Sequence, residues 1–171
     1  MQIADKLHAF LWRSSTIHNC NTYSVDGATR VLIDPGHLNL FEHVEGGLKG
    51  LGVEIRDIGL VITTHAHSDH IEAVQLFKRT ETCTTIHEKE WEFVREMKDF
   101  IGSVYGIDTD AFTPNFFLQE EDFLINGLEL KVLHTPGPFI GFPLSLLFTV
   151  LLAQGKSLGF FHHQRQSASI F

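Results

Sequence analysis

The strongest constraint on this chain is a junction near its centre. Ile58-Gly59-Leu60-Val61-Ile62 is a short apolar run that empties without a linker into Thr63-Thr64-His65-Ala66-His67-Ser68-Asp69-His70. A run of this length, apolar at both alternating sets of positions, reads as a strand covered on both faces, the habit of parallel sheets inside layered folds. The polar loop therefore starts from a rigid frame, at the carboxyl end of a strand, where α/β architectures place their chemistry. His65 and His67 stand two apart, so an extended loop can turn both toward one ion. Asp69 and His70 follow at the start of a helix and can reach a second ion beside it. Imidazole nitrogen and carboxylate oxygen suit zinc, and paired metals about 3.5–4 Å apart are a known hydrolytic arrangement. The chain has 11 histidines, so scattered loop imidazoles are the plain alternative. The position between strand and helix favours the metal.

The rest of the chain reads as alternating strands and helices. Leu7 to Arg13, Ile17 to Val25 and Thr29 to Ile33 form a β-meander, with Asp26-Gly27 supplying hairpin chemistry and Asp34-Pro35-Gly36 ending the third strand. Apolar residues from Leu38 to Leu51 fall near a helical period, although Gly46 and Gly47 weaken it. Ile71 to Phe77 reads as a short helix and Thr82 to Ile86 as a strand. Glu88 to Ile101 reads as one amphipathic helix whose stripe of Trp91, Val94, Met97 and Ile101 belongs to the core. Phe123 to Ile125 and Leu128 to Leu133 form a second hairpin around Asn126-Gly127, ending in His134-Thr135-Pro136-Gly137. Two strands thus each deliver histidine at a carboxyl end.

Composition narrows the partners. The formal net charge of −8 argues against nucleic acid and anionic membranes, which need a basic surface. Cys20 and Cys83 have no metal-like or redox-like spacing and read as buried free thiols. Met1 to Ser15 lacks a long apolar run behind a basic head, so a cytoplasmic protein without a secretory signal is expected. Pro138 to Ala153 is almost wholly apolar but shorter than the roughly 20 residues of a spanning helix, which argues against a membrane anchor. A small-molecule substrate is expected, and the oligomeric state stays open.

Thr-His-Ala-His-Ser-Asp-His, as it stands at 64–70, resembles the signature of the metallo-β-lactamase superfamily. The resemblance extends from about Ile17 to Gly137, through Asn21-Thr22-Tyr23, Val31-Leu32-Ile33-Asp34-Pro35-Gly36 and His134-Thr135-Pro136-Gly137. In style it is nearer the glyoxalase II-like hydrolases than the antibiotic-resistance enzymes. It implies the α/β fold called the αβ/βα sandwich, two mixed sheets with helices outside. It also implies that His65, His67 and His134 bind a first zinc ion and that Asp69 and His70 bind a second. Asp69 would, in addition, orient the attacking water. Asp34 matches an acidic position that supports the metal loop from behind, and a plain turn residue explains it equally well. The implied chemistry is metal-assisted hydrolysis of an ester, thioester or lactone, falling on acidification as the ligand histidines protonate. Iron-based redox chemistry on the same ligands and an inactive metal-binding remnant are the alternatives.

The resemblance stops after Gly137. The family pattern continues with histidine and Gly-Ser, then a metal-bridging aspartate and a late histidine. Here Pro138-Phe139-Ile140-Gly141 follows, and no aspartate occurs after Asp122. His162 and His163 sit in no matching context. Back-translated with one cytosine removed from the Pro138 codon, this stretch can read Gly-His-Ser-Ser-Gly-Ser-Leu-Ser-Leu-Tyr-Tyr, close to the family pattern. The expectation is therefore a metallo-β-lactamase-like domain over 1–137, a divergent tail over 138–171 that a base insertion put out of frame, and an incomplete C-terminal half of the fold.

Overall fold

The structure is a computed structural model and describes residues 1–119, 122–125, 128–136, 146–154 and 157–159. The switch expected at Pro138, the Asn126-Gly127 turn, His162 and His163 lie outside these residues. A seven-stranded sheet runs in sequence order: β1 (Gln2–Ala4), β2 (Leu7–Phe10), β3 (Thr22–Val25), β4 (Arg30–Ile33), β5 (Ile58–Ile62), β6 (Cys83–His87) and β7 (Phe116–Leu118). Its first four strands pair antiparallel and β4 to β7 pair parallel, so the sheet is mixed. The expected hairpin forms between β3 and β4, held where Arg30 Nε donates to Asp26 Oδ1 at 2.8 Å.

The sequence alternation places two cores on opposite faces of this sheet. Val31, Ile33, Leu60 and Ile62 face one way, together with Leu7, Val25 and Leu118. Leu32, Val61 and Ile86 face the other, against the helices. Those helices are α1 (Glu42–Lys49), α2 (Ser68–Ile71), α3 (Glu88–Glu96) and α4 (Lys98–Tyr105). Val44 and Leu48 of α1, Ile71 of α2, Val94 of α3 and Ile101 of α4 bury against the sheet.

A second sheet of order β11-β10-β9-β8 is formed by β8 (Asp122–Ile125), β9 (Leu128–Pro136), β10 (Leu146–Gln154) and β11 (Ser157–Gly159), all antiparallel. Val132 of β9 is buried in the core on the non-helical face of the first sheet. The order is thus helices, sheet, sheet, the first three layers of the expected sandwich. Among the described residues no helix follows β7. No helix among them is long and apolar enough to cross a membrane.

Several elements differ from expectation. Four strands, β1, β7, β10 and β11, have no counterpart in the sequence reading, the last two lying in the stretch expected to be a divergent tail, and the strand expected from Ile17 begins only at Thr22. The helix expected over Glu88 to Ile101 divides at Met97 (φ −97°, ψ 13°), and its second part runs on to Tyr105 before Gly106 closes it in the left-handed region. The short helix starts at Ser68 and continues as a 3-10 turn over Glu72–Phe77. Gly47, taken to weaken α1, instead makes room for it. A Cβ there would stand 2.3 Å from Phe10 Cδ1, so the bare glycine lets helix and strand approach.

Candidate metal centre

The site lies where β4 and β5 end side by side. Asp34, the first residue past β4, has φ +52°, a left-handed conformation that aspartate tolerates better than most residues. Its N–H donates to the Ile62 carbonyl at 2.9 Å, continuing the β4–β5 pairing by one step. Its own carbonyl accepts from Thr22 Oγ1 at 2.6 Å and from Cys20 Sγ at 3.3 Å. This fixed backbone aims the carboxylate at the loop after β5. There Oδ1 accepts the Thr64 N–H at 2.8 Å, Oδ2 accepts the Thr64 hydroxyl at 2.7 Å, and Oδ2 also stands 3.0 Å from His70 Nδ1. Asp34, His65 and His70 are all buried. Asp34 is therefore more than a turn residue, because it grips both the start and the end of the histidine loop.

These contacts orient the imidazoles. Thr64 Oγ1 gives its proton to Asp34, so at its 3.0 Å contact with His65 Nδ1 it can only accept. That assigns the proton of His65 to Nδ1 and leaves Nε2 with a lone pair, the arrangement typical of a supported metal ligand. His65 Nε2 lies 3.0 Å from His67 Nδ1. Two nitrogens bound to one tetrahedral zinc ion at about 2.0–2.1 Å would stand roughly 3.3–3.4 Å apart, so a shift of a few tenths of an ångström makes room for an ion between them. His70, held from behind through Nδ1, presents Nε2 3.7 Å from Asp69 Oδ2. That gap also suits a shared cation. Burial opposes a charge on His70, but the bonded carboxylate of Asp34 and the charges of Asp69 and Glu90 outweigh it and raise its pKa above the ordinary imidazole value.

The loop thus brings His65, His67, Asp69 and His70 together as two donor pairs, with the His65 and His70 ring centres 3.9 Å apart. Among the described residues no group of three or more His, Cys, Asp or Glu is placed to hold a metal ion. The expected further donor, His134, lies in β9 opposite Phe148 of β10, two residues beyond the core residue Val132. The side chain of His134 is outside the description.

A cavity of about 520 Å³ opens beside the donor pairs. His18, His65, His67, Asp69 and Glu90 supply titratable groups to its lining, and Phe93, Met97, Phe100, Ile101, Tyr105 and Ile107 supply large apolar ones. Glu90 and His18 were not foreseen as site residues. Glu90 is buried, and its Oε2 accepts the Ala66 N–H at 2.8 Å, tying α3 to the middle of the histidine loop. A signal for it exists in the sequence. Glu90, Val94, Met97 and Ile101 share one helical face, so a carboxylate occupies a position on the apolar stripe. His18, in the loop before β3, has no comparable signal.

The comparisons with known proteins fit this geometry. The family model described as the metallo-beta-lactamase superfamily matches residues 15–141. That span holds Asp34, the whole histidine loop, Glu90 and His134. The chain belongs to the metallo-beta-lactamase superfamily. It is 29% identical over 143 residues to the protein named Probable metallo-hydrolase MJ0888 of Methanocaldococcus jannaschii, covering 82% of this chain and 68% of that one. Among solved structures it resembles a HARLDQ-motif mutant of the metallo-beta-lactamase of Cronobacter sakazakii, with TM-score 0.68 and 16% identity, over 89% of this chain and 58% of the other. It also resembles the native metallo-beta-lactamase of Legionella gormanii, with TM-score 0.64 and 18% identity, over 93% and 60%. The chain therefore spans less than two thirds of these superfamily structures. At such identities the likeness establishes the fold. The cysteine expectation needs one correction, since Cys20 is buried but Cys83, at the start of β6, is exposed.

Proposed function

We propose that this chain is a metal-dependent hydrolase that opens an ester, thioester or lactone of a small molecule with water, using zinc. The observation that carries the reading is the pairing of donors at the end of β5: His65 Nε2 with His67 Nδ1 at 3.0 Å, and His70 Nε2 with Asp69 Oδ2 at 3.7 Å. His65, His67 and His134 would hold a first ion, and Asp69 with His70 a second. Zinc supplies Lewis acidity toward the carbonyl oxygen and lowers the pKa of water toward neutrality.

The chain's own residues do the rest. Thr64 and Asp34 fix the imidazole orientations, so no ligand reorganises as charge develops. Asp69 is partly exposed to the cavity, and its carboxylate can accept a proton of the attacking water and aim its lone pair. The aromatic wall of the cavity keeps bulk water from the reacting carbonyl.

Zinc titration into metal-free protein tests the reading. One tight equivalent should bind, with a second much weaker. Residues 123–171 contain no aspartate to bridge two ions, and dications a few ångströms apart repel. Absence of any tight equivalent would overturn the proposal. Iron in protein purified without added metal would move it to redox chemistry, since the same donors suit iron.

A further inference from the structure

The cavity beside the histidine loop is lined by two chemically distinct sets of residues, and the apolar set points to one class of substrate. Phe93 of α3, Met97 between the helices, Phe100, Ile101 and Tyr105 of α4, and Ile107 beyond it form a continuous apolar wall. Ile101 and Ile107 are buried, while Phe100 and Tyr105 are half open to solvent, packed edge to face with ring centres 6.0 Å apart. Large apolar side chains grouped at the mouth of a cavity, rather than scattered, mark a binding surface. The volume of about 520 Å³ is that of a small-molecule site.

Among the described residues no lysine or arginine lines the cavity, so its apolar lining offers contact to hydrocarbon rather than to a phosphate or carboxylate arm.

We infer that the wall formed by α3 and α4 is an acyl-chain pocket, and that the substrate is an ester, thioester or lactone carrying an apolar acyl chain. The inference rests on the hydrolase reading for the position of the carbonyl, beside Asp69 and the histidines. The chain of the substrate then lies along Met97 and Phe100.

Straight-chain methyl ketones of increasing length make suitable probes, since they are neutral, carry a carbonyl and cannot be hydrolysed. Calorimetric affinity for the full chain should rise roughly fourfold per added methylene until the cavity is filled. Phe100→Glu places a charge in the wall at an exposed position that the fold tolerates, and should weaken the long ketones at least tenfold while leaving the shortest unchanged. Phe116→Glu, a similarly exposed phenylalanine on β7 away from the cavity, should change neither. Affinity that is flat with chain length, or equal in the wild type and Phe100→Glu, would overturn the pocket. So would failure of every ketone to bind accompanied by concentration-dependent dimerisation, which would assign the wall to a second copy of the chain. The two proposals fail separately. Hydrolysis of a short ester with flat ketone binding removes the pocket alone, whereas length-dependent binding without zinc uptake removes the hydrolase reading alone.

Discussion

The floor and the wall of the cavity are built by different means. The floor rests on the pair of strand ends after β4 and β5, where Asp34 bonds Thr64, Thr64 contacts His65 and His70 stands 3.0 Å from Asp34, and His65 carries this frame to the cavity. Its geometry follows from strand pairing, because Asp34 extends the β4–β5 ladder and everything else hangs from its carboxylate. The wall is a broken helix whose side chains are largely apolar and half open, joined to the floor by the bond from the Ala66 N–H to Glu90 and by shared core packing. A polar floor demands fixed partners for every buried group, while an apolar wall demands only shape and surface. Substitutions on the floor should therefore act on metal binding and stability together, and those on the wall on one property at a time.

The largest expected effect breaks the floor at its front. His65→Ala or His67→Ala should abolish tight zinc binding, since each removes a donor from the 3.0 Å pair. His70→Ala should spare the first equivalent and lose the weak one. Metal content after dialysis checks all three variants, and equal retention across them would dissolve the distinction between the two pairs.

Next comes the back of the floor. Asp34→Ala removes the partner of a buried imidazole and of the Thr64 N–H and hydroxyl. Breaking a buried, hydrogen-bonded charge pair costs about 3–5 kcal/mol, and urea unfolding of the metal-free protein measures it. A cost below about 1 kcal/mol, the range of a surface pair, would reduce Asp34 to the turn residue that the sequence also allowed.

The link between floor and wall should be worth less. Glu90→Ala leaves the buried Ala66 N–H without its carboxylate acceptor, a penalty of about 1–3 kcal/mol. Glu90→Gln keeps an acceptor in place and should recover most of that stability. If both variants lose equally, the charge of Glu90 matters rather than the hydrogen bond, and the tie to the loop is electrostatic.

The same division decides what could be read from the sequence. The run Ile58–Ile62 is a strand over those five residues, and the loop after it brings His65 Nε2 3.0 Å from His67 Nδ1 and His70 Nε2 3.7 Å from Asp69 Oδ2. Both lie within thirteen consecutive positions. The features that escaped depend on partners far along the chain. β7 pairs with β6 because Asn115 accepts the Thr84 N–H and donates to the Thr84 carbonyl, 31 residues away. β1 is three exposed residues on a sheet edge, with no burial to leave a pattern. Glu90 reaches 24 residues back to Ala66, and its helical register hints at burial without naming the partner. The break at Met97 turns Phe100 and Tyr105 toward the cavity, and no local breaker residue marks it.

The smallest expected effect is a matter of reactivity, and it separates floor from periphery without altering a residue. Cys20 belongs to the floor: its Sγ donates to the Asp34 carbonyl and the residue is 1% exposed. Burial, followed by the negative charges of Asp34 and Asp69, pushes its thiol well above the usual range, which disfavours the reactive thiolate. Cys83 begins β6 and is exposed. A colorimetric thiol reagent at mildly alkaline pH should therefore label one cysteine of the native metal-free protein promptly and the second only as the structure opens. The slow phase should take its rate from that opening and merge with the fast one in denaturant. Asp34→Ala should accelerate it, because the variant both loosens the strand ends and removes a charge that holds the thiol protonated. Two thiols labelled at the same rate in native protein would mean that the floor opens as readily as the surface, and the fixed geometry assigned to the histidine loop would have to be abandoned.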